Sequence, residues 1–243
     1  MEDLRDNHFV AFILDIVFPK RCPVCDRVLE FRGKAICGRC GRKLLLIGSK
    51  GCRKCGRLLR KSEDEYCKDC MTVSHTCDAG LSAFVYNDAM KRSIYRFKNG
   101  GRQEYAGFYA DAILRNYERQ IRSFGADAIA AVPLHKEKMY RRGYNQAELI
   151  AKELSKKLDI PLGKDLIKRK NRAVAQKTLD ASKRRKNLKK AFIIKGNDVK
   201  LKRVIIVDDV YTTGSTMDEL SLVLKRHGIE KVLALTVASG TPV

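Results

Sequence analysis

Tryptophan is absent from this chain, aromatic residues make up only 7% of it, and 28 acidic residues face 50 lysines and arginines. So few aromatics do not advertise a base-stacking platform of the kind that holds single strands without sequence preference. Long apolar runs are missing too. The longest, residues 9–18, amounts to about three helical turns, is interrupted by Asp15 and has no basic leader, so it reads neither as a membrane span nor as a signal peptide. An amphipathic helix packed on its own protein is the expectation there, in a cytoplasmic chain. GxxxxGK[ST] and GxGxxG are also lacking, which excludes a P-loop and a dinucleotide-binding turn.

Positive charge is what the chain has in excess. Its 243 residues, 44% hydrophobic, can bury one large core or two small ones, and the net charge of +22 favours polyanionic ligands such as nucleic acid or phosphorylated metabolites. Residues 1–76 carry 16 basic and 10 acidic side chains, so most of the surplus lies beyond them. The densest run, residues 168–190, holds 11 basic residues and one acidic one; a solvated loop and a dedicated anion-binding loop both fit it.

Eight of the nine cysteines form four Cys-x-x-Cys knuckles: Cys22 and Cys25, Cys37 and Cys40, Cys52 and Cys55, Cys67 and Cys70. The second set of four repeats the first 30 residues later. Two thiolates three residues apart on a tight turn reach one ion, and two knuckles complete a closed tetrahedral site, so two structural Zn2+ ions are expected. Disulfides, iron–sulfur ligation and dithiol redox chemistry compete, but a reduced compartment and four knuckles in register oppose them. Consecutive quartets are the simplest ligation, with a cross-brace as the alternative. Each ion contributes on the order of 10 kcal/mol to folding, which would order a stretch poor in large apolar groups. Gly41 and Gly56, directly after Cys40 and Cys55, suit a tight knuckle. Cys77, near His75, is left over as a buried free thiol.

From Ala79 onward strands and helices alternate. Strands are expected at LSAFVYN, DAIAAVP, LIKR, RVIIVD and VLALTVA, with helices at about residues 88–96, 104–122, 145–158 and 215–227. Alternation of this kind means an α/β fold with a parallel sheet covered on both faces, whose ligands sit at the carboxyl ends of the strands. The expected division is 1–76 for the zinc region and 77–243 for the α/β domain.

The stretch VIIVDDVYTTGST, residues 204–216, lies at such an edge. Asp208 and Asp209 are expected where the strand leaves the sheet, placed to receive hydroxyls or a hydrated metal. Thr212, Thr213, Gly214, Ser215 and Thr216 then turn into a helix start, where free N–H groups and hydroxyls cradle one phosphate. Acids at one end and a phosphate cradle at the other describe a 5-phosphorylated ribose.

These thirteen residues resemble the phosphoribosyl pyrophosphate signature of type I phosphoribosyltransferases. With VPLHKEKMYRRGYNQAELIA, RAVAQKTL, RRKNLKKAF and the paired zinc knuckles, the chain resembles the ComF family from about Phe18 to its end. The resemblance implies a double zinc ribbon ahead of a Rossmann-like phosphoribosyltransferase domain and, in transformable bacteria, a part in handling incoming single-stranded DNA. It implies that Asp208 and Asp209 hold the ribose hydroxyls directly or through Mg2+, while residues 212–216 hold the 5-phosphate. It further gives Pro133, His135, Lys136 and Arg142 to a pyrophosphate loop and residues 168–190 to a flap. Arg141, Arg142, Gly143, Tyr144, Asn145 and Gln146 cluster at a helix start, as an anion site in preference to a plain cap. Lys98, Gly100 and Arg102 would face the same crevice or make an ordinary turn.

Three functions follow from these residues. One is a transferase moving the ribosyl phosphate of phosphoribosyl pyrophosphate onto an unnamed nitrogen acceptor. Another is a single-stranded DNA adaptor that keeps a phosphosugar pocket, binding phosphoribosyl pyrophosphate or ribose 5-phosphate. The third is a zinc-ribbon scaffold docking to a DNA-uptake helicase or a related competence protein.

Overall fold

A computed structural model describes residues 19–29, 35–61, 63–169, 192–194 and 201–240. The apolar segment 9–18 and most of the basic run, residues 170–190, lie outside the described residues. In chain order the strands are β1 (Ala79–Val85), β2 (Ala128–Ala131), β3 (Ile167–Arg169), β4 (Phe192–Ile194), β5 (Arg203–Tyr211) and β6 (Lys231–Ser239). The helices are α1 (Gly38–Gly41), α2 (Lys68–Thr72), α3 (Asp88–Asn99), α4 (Tyr105–Phe124), α5 (Lys136–Arg142), α6 (Gln146–Leu158) and α7 (Ser215–Arg226).

Four strands make one parallel sheet in the order β1, β6, β5, β2. The run Val204, Ile205, Ile206 and Val207 has no polar side because β5 is central and both its faces are covered. Ile205 and Val207 face the core built by α3, α4 and α6, while Val204 and Ile206 face the core built by α7 and β3. The helices carry recognisable ends. Asn87 and Asn145 cap α3 and α6 by accepting from Met90 and Ala147 amides, and Gly125 closes α4 in the left-handed conformation. The strand LIKR departs from a simple α/β reading. It pairs antiparallel with Phe192–Ile194 in a separate two-stranded ribbon whose strands flank residues 170–191 in sequence.

The zinc region is not held at arm's length from the sheet. The segment joining its two halves lies along the edge strand: Ile47 N–H bonds Ala83 O at 3.0 Å and Val85 N–H bonds Leu45 O at 2.8 Å. This occupies an edge that would otherwise offer free backbone groups to another chain. Beside it the backbones at Cys55–Gly56 and Gly80–Leu81 touch. A Cβ on Gly80 would lie 2.8 Å from Cys55 C, and one on Gly56, at φ +74°, 2.7 Å from Ser82 N. Gly41 has no such need; it lies in α1, and a Cβ there meets only Ile36 at 4.0 Å. Cys52, Cys55 and Cys67 belong to the same buried cluster as α7.

Gly80→Ala should therefore cost about 2 kcal/mol in urea denaturation, as overpacking against rigid backbone does. Gly107→Ala, on an α4 position with nothing within 4 Å, is the control and should be neutral or stabilising.

Candidate phosphosugar crevice and zinc sites

The eight knuckle cysteines gather as consecutive quartets, Cys22, Cys25, Cys37 and Cys40, and Cys52, Cys55, Cys67 and Cys70, with the sulfurs of each quartet within 4.8 Å of one another. The cross-brace is thereby excluded. A zinc ion with four bonds of about 2.3 Å separates its sulfurs by about 3.8 Å. Cys25 and Cys37 sulfurs are 3.9 Å apart, those of Cys55 and Cys67 3.6 Å. Hydrogen bonds from Cys55 and from backbone groups hold Cys52 down to about 4, while Cys55 and Cys70 are pushed up. Four cysteine sulfurs at these spacings are the donor set of structural zinc, which when bound would hold all four as thiolates. His75 and Cys77 belong to neither quartet; burial pushes the Cys77 thiol up to about 11, leaving it unreactive.

The acids sit one step earlier than the sequence implies. β5 runs on through Asp208 and Asp209 to Tyr211, so both lie within the strand's last residues and the turn begins at Thr212. Neighbouring strand residues point to opposite faces. Asp209, on the α3 side, receives Lys98 Nζ at 2.8 Å. Asp208 accepts the Asp209 N–H at 2.8 Å. Burial first, and the Asp209 charge second, push Asp208 up to about 7, against the pull of Lys98 and Lys138.

Lys98 is held in place by its surroundings: Tyr144, at the start of α6, donates its hydroxyl to the carbonyl of Phe97, the residue before it. Arg102 turns away from the crevice and pairs with Asp26 of the first zinc knuckle at 2.8 Å. On the opposite wall α5 supplies Lys138, whose pKa is lowered by burial and by Arg142, Arg169 and Lys98, with Asp209 opposing. Arg142 bonds Gln146 at 2.8 Å and keeps a buried Nε without a partner. Lys98 and Lys138 thus face the two carboxylates, and Arg142 and Arg169 stand beside Lys138. Lys136 is not among them: with His135 it lines a neighbouring cavity of about 340 Å3 between α5 and residues 162–169. Tyr144, Asn145 and Gln146, expected in an anion site, are spent on Phe97, Val132 and Arg142 respectively.

The turn is braced from below by the second zinc quartet. Arg57 donates to Thr212 O at 2.7 Å, pairs with Asp69 and lies over the Tyr211 ring at 5.4 Å. Asp218, in the first turn of α7, accepts from His75 Nδ1 and from Thr76 N–H, both at 2.8 Å. Gly214 is at φ +80°, and a Cβ there would stand 2.2 Å from the Tyr211 hydroxyl, so no other residue fits. Thr213 and Ser215 hydroxyls bond each other at 2.8 Å.

Comparison with known proteins gives the same two parts. The family profile of the double zinc ribbon domain matches residues 13–71, and that of the phosphoribosyl transferase domain matches residues 145–241. Competence protein F of Haemophilus influenzae is 44% identical over 108 residues, 44% of this chain and 47% of that one. The DNA utilization protein YhgH of Salmonella typhimurium is 33% identical over 155 residues, 63% of this chain and 68% of the relative. The chain belongs to the ComF family. Competence protein ComFC of Bacillus subtilis is 30% identical over 161 residues, 66% of this chain and 62% of that one. Against the Haemophilus relative the chain spans about half the length.

Within this ComF-family chain, Lys138, Arg57, His75 and Asp218 escaped the sequence reading. Lys138 carries no motif that separates it from Lys136. The Arg57 and His75 contacts span 155 and 143 residues and leave no local signal.

Asp208 also sets a pH dependence. Its folded pKa lies above the carboxylate's ordinary 3.8, so the folded state holds the proton longer and stability falls as pH rises from about 4 to 7. Asp208→Asn should be more stable than the parent at pH 8, by on the order of 2 kcal/mol. The gain should vanish below pH 4 in thermal melts.

Proposed function

We propose that this crevice binds a 5-phosphorylated ribose, phosphoribosyl pyrophosphate in the first instance, and that the protein serves DNA uptake in the cytoplasm. The observation that carries the reading is the acid pair faced by Lys98 and Lys138 one short turn before a braced hydroxyl turn at a helix start. Asp209 and Asp208 receive the ribose hydroxyls, and Thr212, Thr213, Gly214, Ser215 and Thr216 the 5-phosphate. Lys98, Lys138 and Arg142 receive the pyrophosphate, with Lys98 leaving Asp209 as it does so. The hard oxygen donors of Asp208 and Asp209 suit Mg2+, which when bound neutralises charge building on departing pyrophosphate. In transfer the C1–O bond breaks with its electron pair going to pyrophosphate, and an acceptor nitrogen supplies the new bond and sheds its proton. Low local dielectric makes the lysines effective in steadying that oxygen.

Calorimetric titration with phosphoribosyl pyrophosphate and Mg2+ tests the reading. Binding should be detectable, should weaken at least tenfold in Asp209→Asn, and should weaken again in Lys138→Met. Absence of binding in the parent protein sinks it. Pyrophosphate release on addition of an acceptor separates turnover from binding alone.

A second reading, a single-stranded DNA adaptor, is favoured by one observation. Although aromatics are few, Tyr95 is 68% and Tyr140 94% exposed, on the same helices that carry Lys98 and Lys138. Stacking is worth about 1–3 kcal/mol per base. Replacing both tyrosines with alanine should weaken oligothymidylate binding roughly tenfold or more, while leaving the slope of log affinity against log salt unchanged, because no phosphate contact is lost. A changed slope, or unchanged affinity, counts against these rings as stacking platforms.

A further inference from the structure

The cavity of about 340 Å3 between α5 and residues 162–169 lies at the carboxyl end of β2, the side of a parallel sheet on which α/β folds take their ligands. Its volume is at the lower end of the roughly 300–1,000 Å3 that small-molecule sites occupy. That is room for one substituted ring. Ala131, the last residue of β2, together with Leu162 and Ile167, gives the cavity an apolar wall for the face of such a ring.

Four cations, Lys136, Lys164, Lys168 and Arg169, stand around that wall with two carboxylates, Glu148 and Asp165. Asp165 is taken by Lys168 at 3.2 Å. Among the described residues no ion pair holds Lys136, Lys164 or Glu148, and all three are exposed, so an occupant reaches them. Arg169 lies over the Phe192 ring at 5.6 Å, which fixes the plane of its guanidinium. The surplus of cations asks for an anion. Glu148 repels a bare one, yet an anion that also carries an N–H meets the same carboxylate as a charge-assisted hydrogen bond.

An apolar wall, unpaired lysines and one lone carboxylate together describe a planar nitrogen heterocycle bearing a carboxylate. Position gives such a ring a partner. The charge of Arg169 acts on Lys138 and that of Lys138 on Asp208, so the cavity adjoins the wall of the crevice. We infer that this cavity is the acceptor subsite of the proposed transfer, and that the acceptor is a ring acid with two ring nitrogens. Its carboxylate lies on Lys136 and Lys164, and one ring N–H is donated to Glu148. The other nitrogen forms the bond to C1 of the ribose as the C1–O pair leaves with pyrophosphate, its own proton passing to water. The acceptor role rests on the crevice being a sugar-phosphate site; binding of the ring acid does not.

Calorimetry on the full-length, zinc-loaded protein at physiological salt compares three probes: orotate, a pyrimidine carboxylate; uracil, the same ring without the carboxylate; and benzoate, a carboxylate without a ring N–H. Orotate should bind roughly tenfold tighter than either, because only it uses both the lysines and Glu148. Lys164→Met should remove most of that margin and leave phosphoribosyl pyrophosphate binding unchanged, with an unaltered melting midpoint as the folding control. Glu148→Gln should also weaken orotate; stronger binding in that variant would mean that the carboxylate only repels, and would refute the assignment. With phosphoribosyl pyrophosphate and Mg2+ present, orotate should raise pyrophosphate release above the level seen with uracil. If phosphoribosyl pyrophosphate binds but orotate binds no better than uracil, the subsite is refuted and the crevice reading survives. If both bind and release does not rise, the acceptor role is refuted. If orotate binds and phosphoribosyl pyrophosphate does not, the acceptor role falls with the crevice reading.

Discussion

The geometry of the crevice depends on one guanidinium. Arg57 leaves the second zinc knuckle and, almost fully buried, joins three things: the carbonyl of Thr212, the carboxylate of Asp69 and the face of Tyr211. A planar, permanently charged fork can hold an oxygen, a carboxylate and a ring in a single arrangement, which a lysine cannot. Thr212 begins the turn, and the Tyr211 hydroxyl sits under Gly214 in its middle. Moving Arg57 therefore moves the cradle. Because Arg57 sits two residues after Cys55, the zinc quartet fixes where it starts, and the turn at residues 212–216 takes its position from a cysteine quartet more than 100 residues away in sequence.

The opposite wall has the same construction. Arg96 of α3 donates to the carbonyl of Val24, while Arg102 and Tyr105 bind Asp26, all on the first zinc knuckle. Burial alone would raise Asp26, but these two donors hold its pKa below the usual carboxylate range. Between Arg96 and Arg102 stands Lys98, the cation on Asp209. Each zinc quartet thus latches one wall of the crevice, the first beside Lys98 and the second beside Thr212.

Much of this was legible in the sequence where the signal is local. The Cys-x-x-Cys knuckles followed from spacing, since ligands on one turn must be close, while the choice of consecutive quartets over a cross-brace came from the fold. The buried strand at residues 204–207 followed from its unbroken apolar run, and the turn from its hydroxyls and Gly214. The end of that strand did not. Asp208 and Asp209 look like a strand exit because carboxylates are costly inside a sheet, yet pairing with β6 carries β5 on to Tyr211. Similarly, LIKR reads as one more parallel strand until Phe192–Ile194 supplies it with an antiparallel partner. Gly56 and Gly41 look alike after their cysteines; only the approach of the β1 backbone makes the first indispensable. Lys98 over Arg102, and Lys138 over Lys136, are choices made by helix phase and packing, which a lysine-rich sequence does not reveal.

On the proposed reading, the electrostatics account for an anion entering a crevice that holds two acids. Lys98 neutralises Asp209, and Asp208, pushed up to about 7, carries only part of a charge near neutrality. Lys138, Arg142 and Arg169 remain in excess, crowded enough that burial and one another's charge lower the Lys138 pKa. Like charges held together without a counter-charge destabilise the folded state, so the cluster persists because the latches on both walls hold its elements in place. In the proposed complex a polyphosphate would relieve that repulsion and draw Lys98 off Asp209, and a divalent cation at the acids would then balance the charge so exposed. The two should therefore bind more strongly together than apart, each removing the penalty that opposes the other.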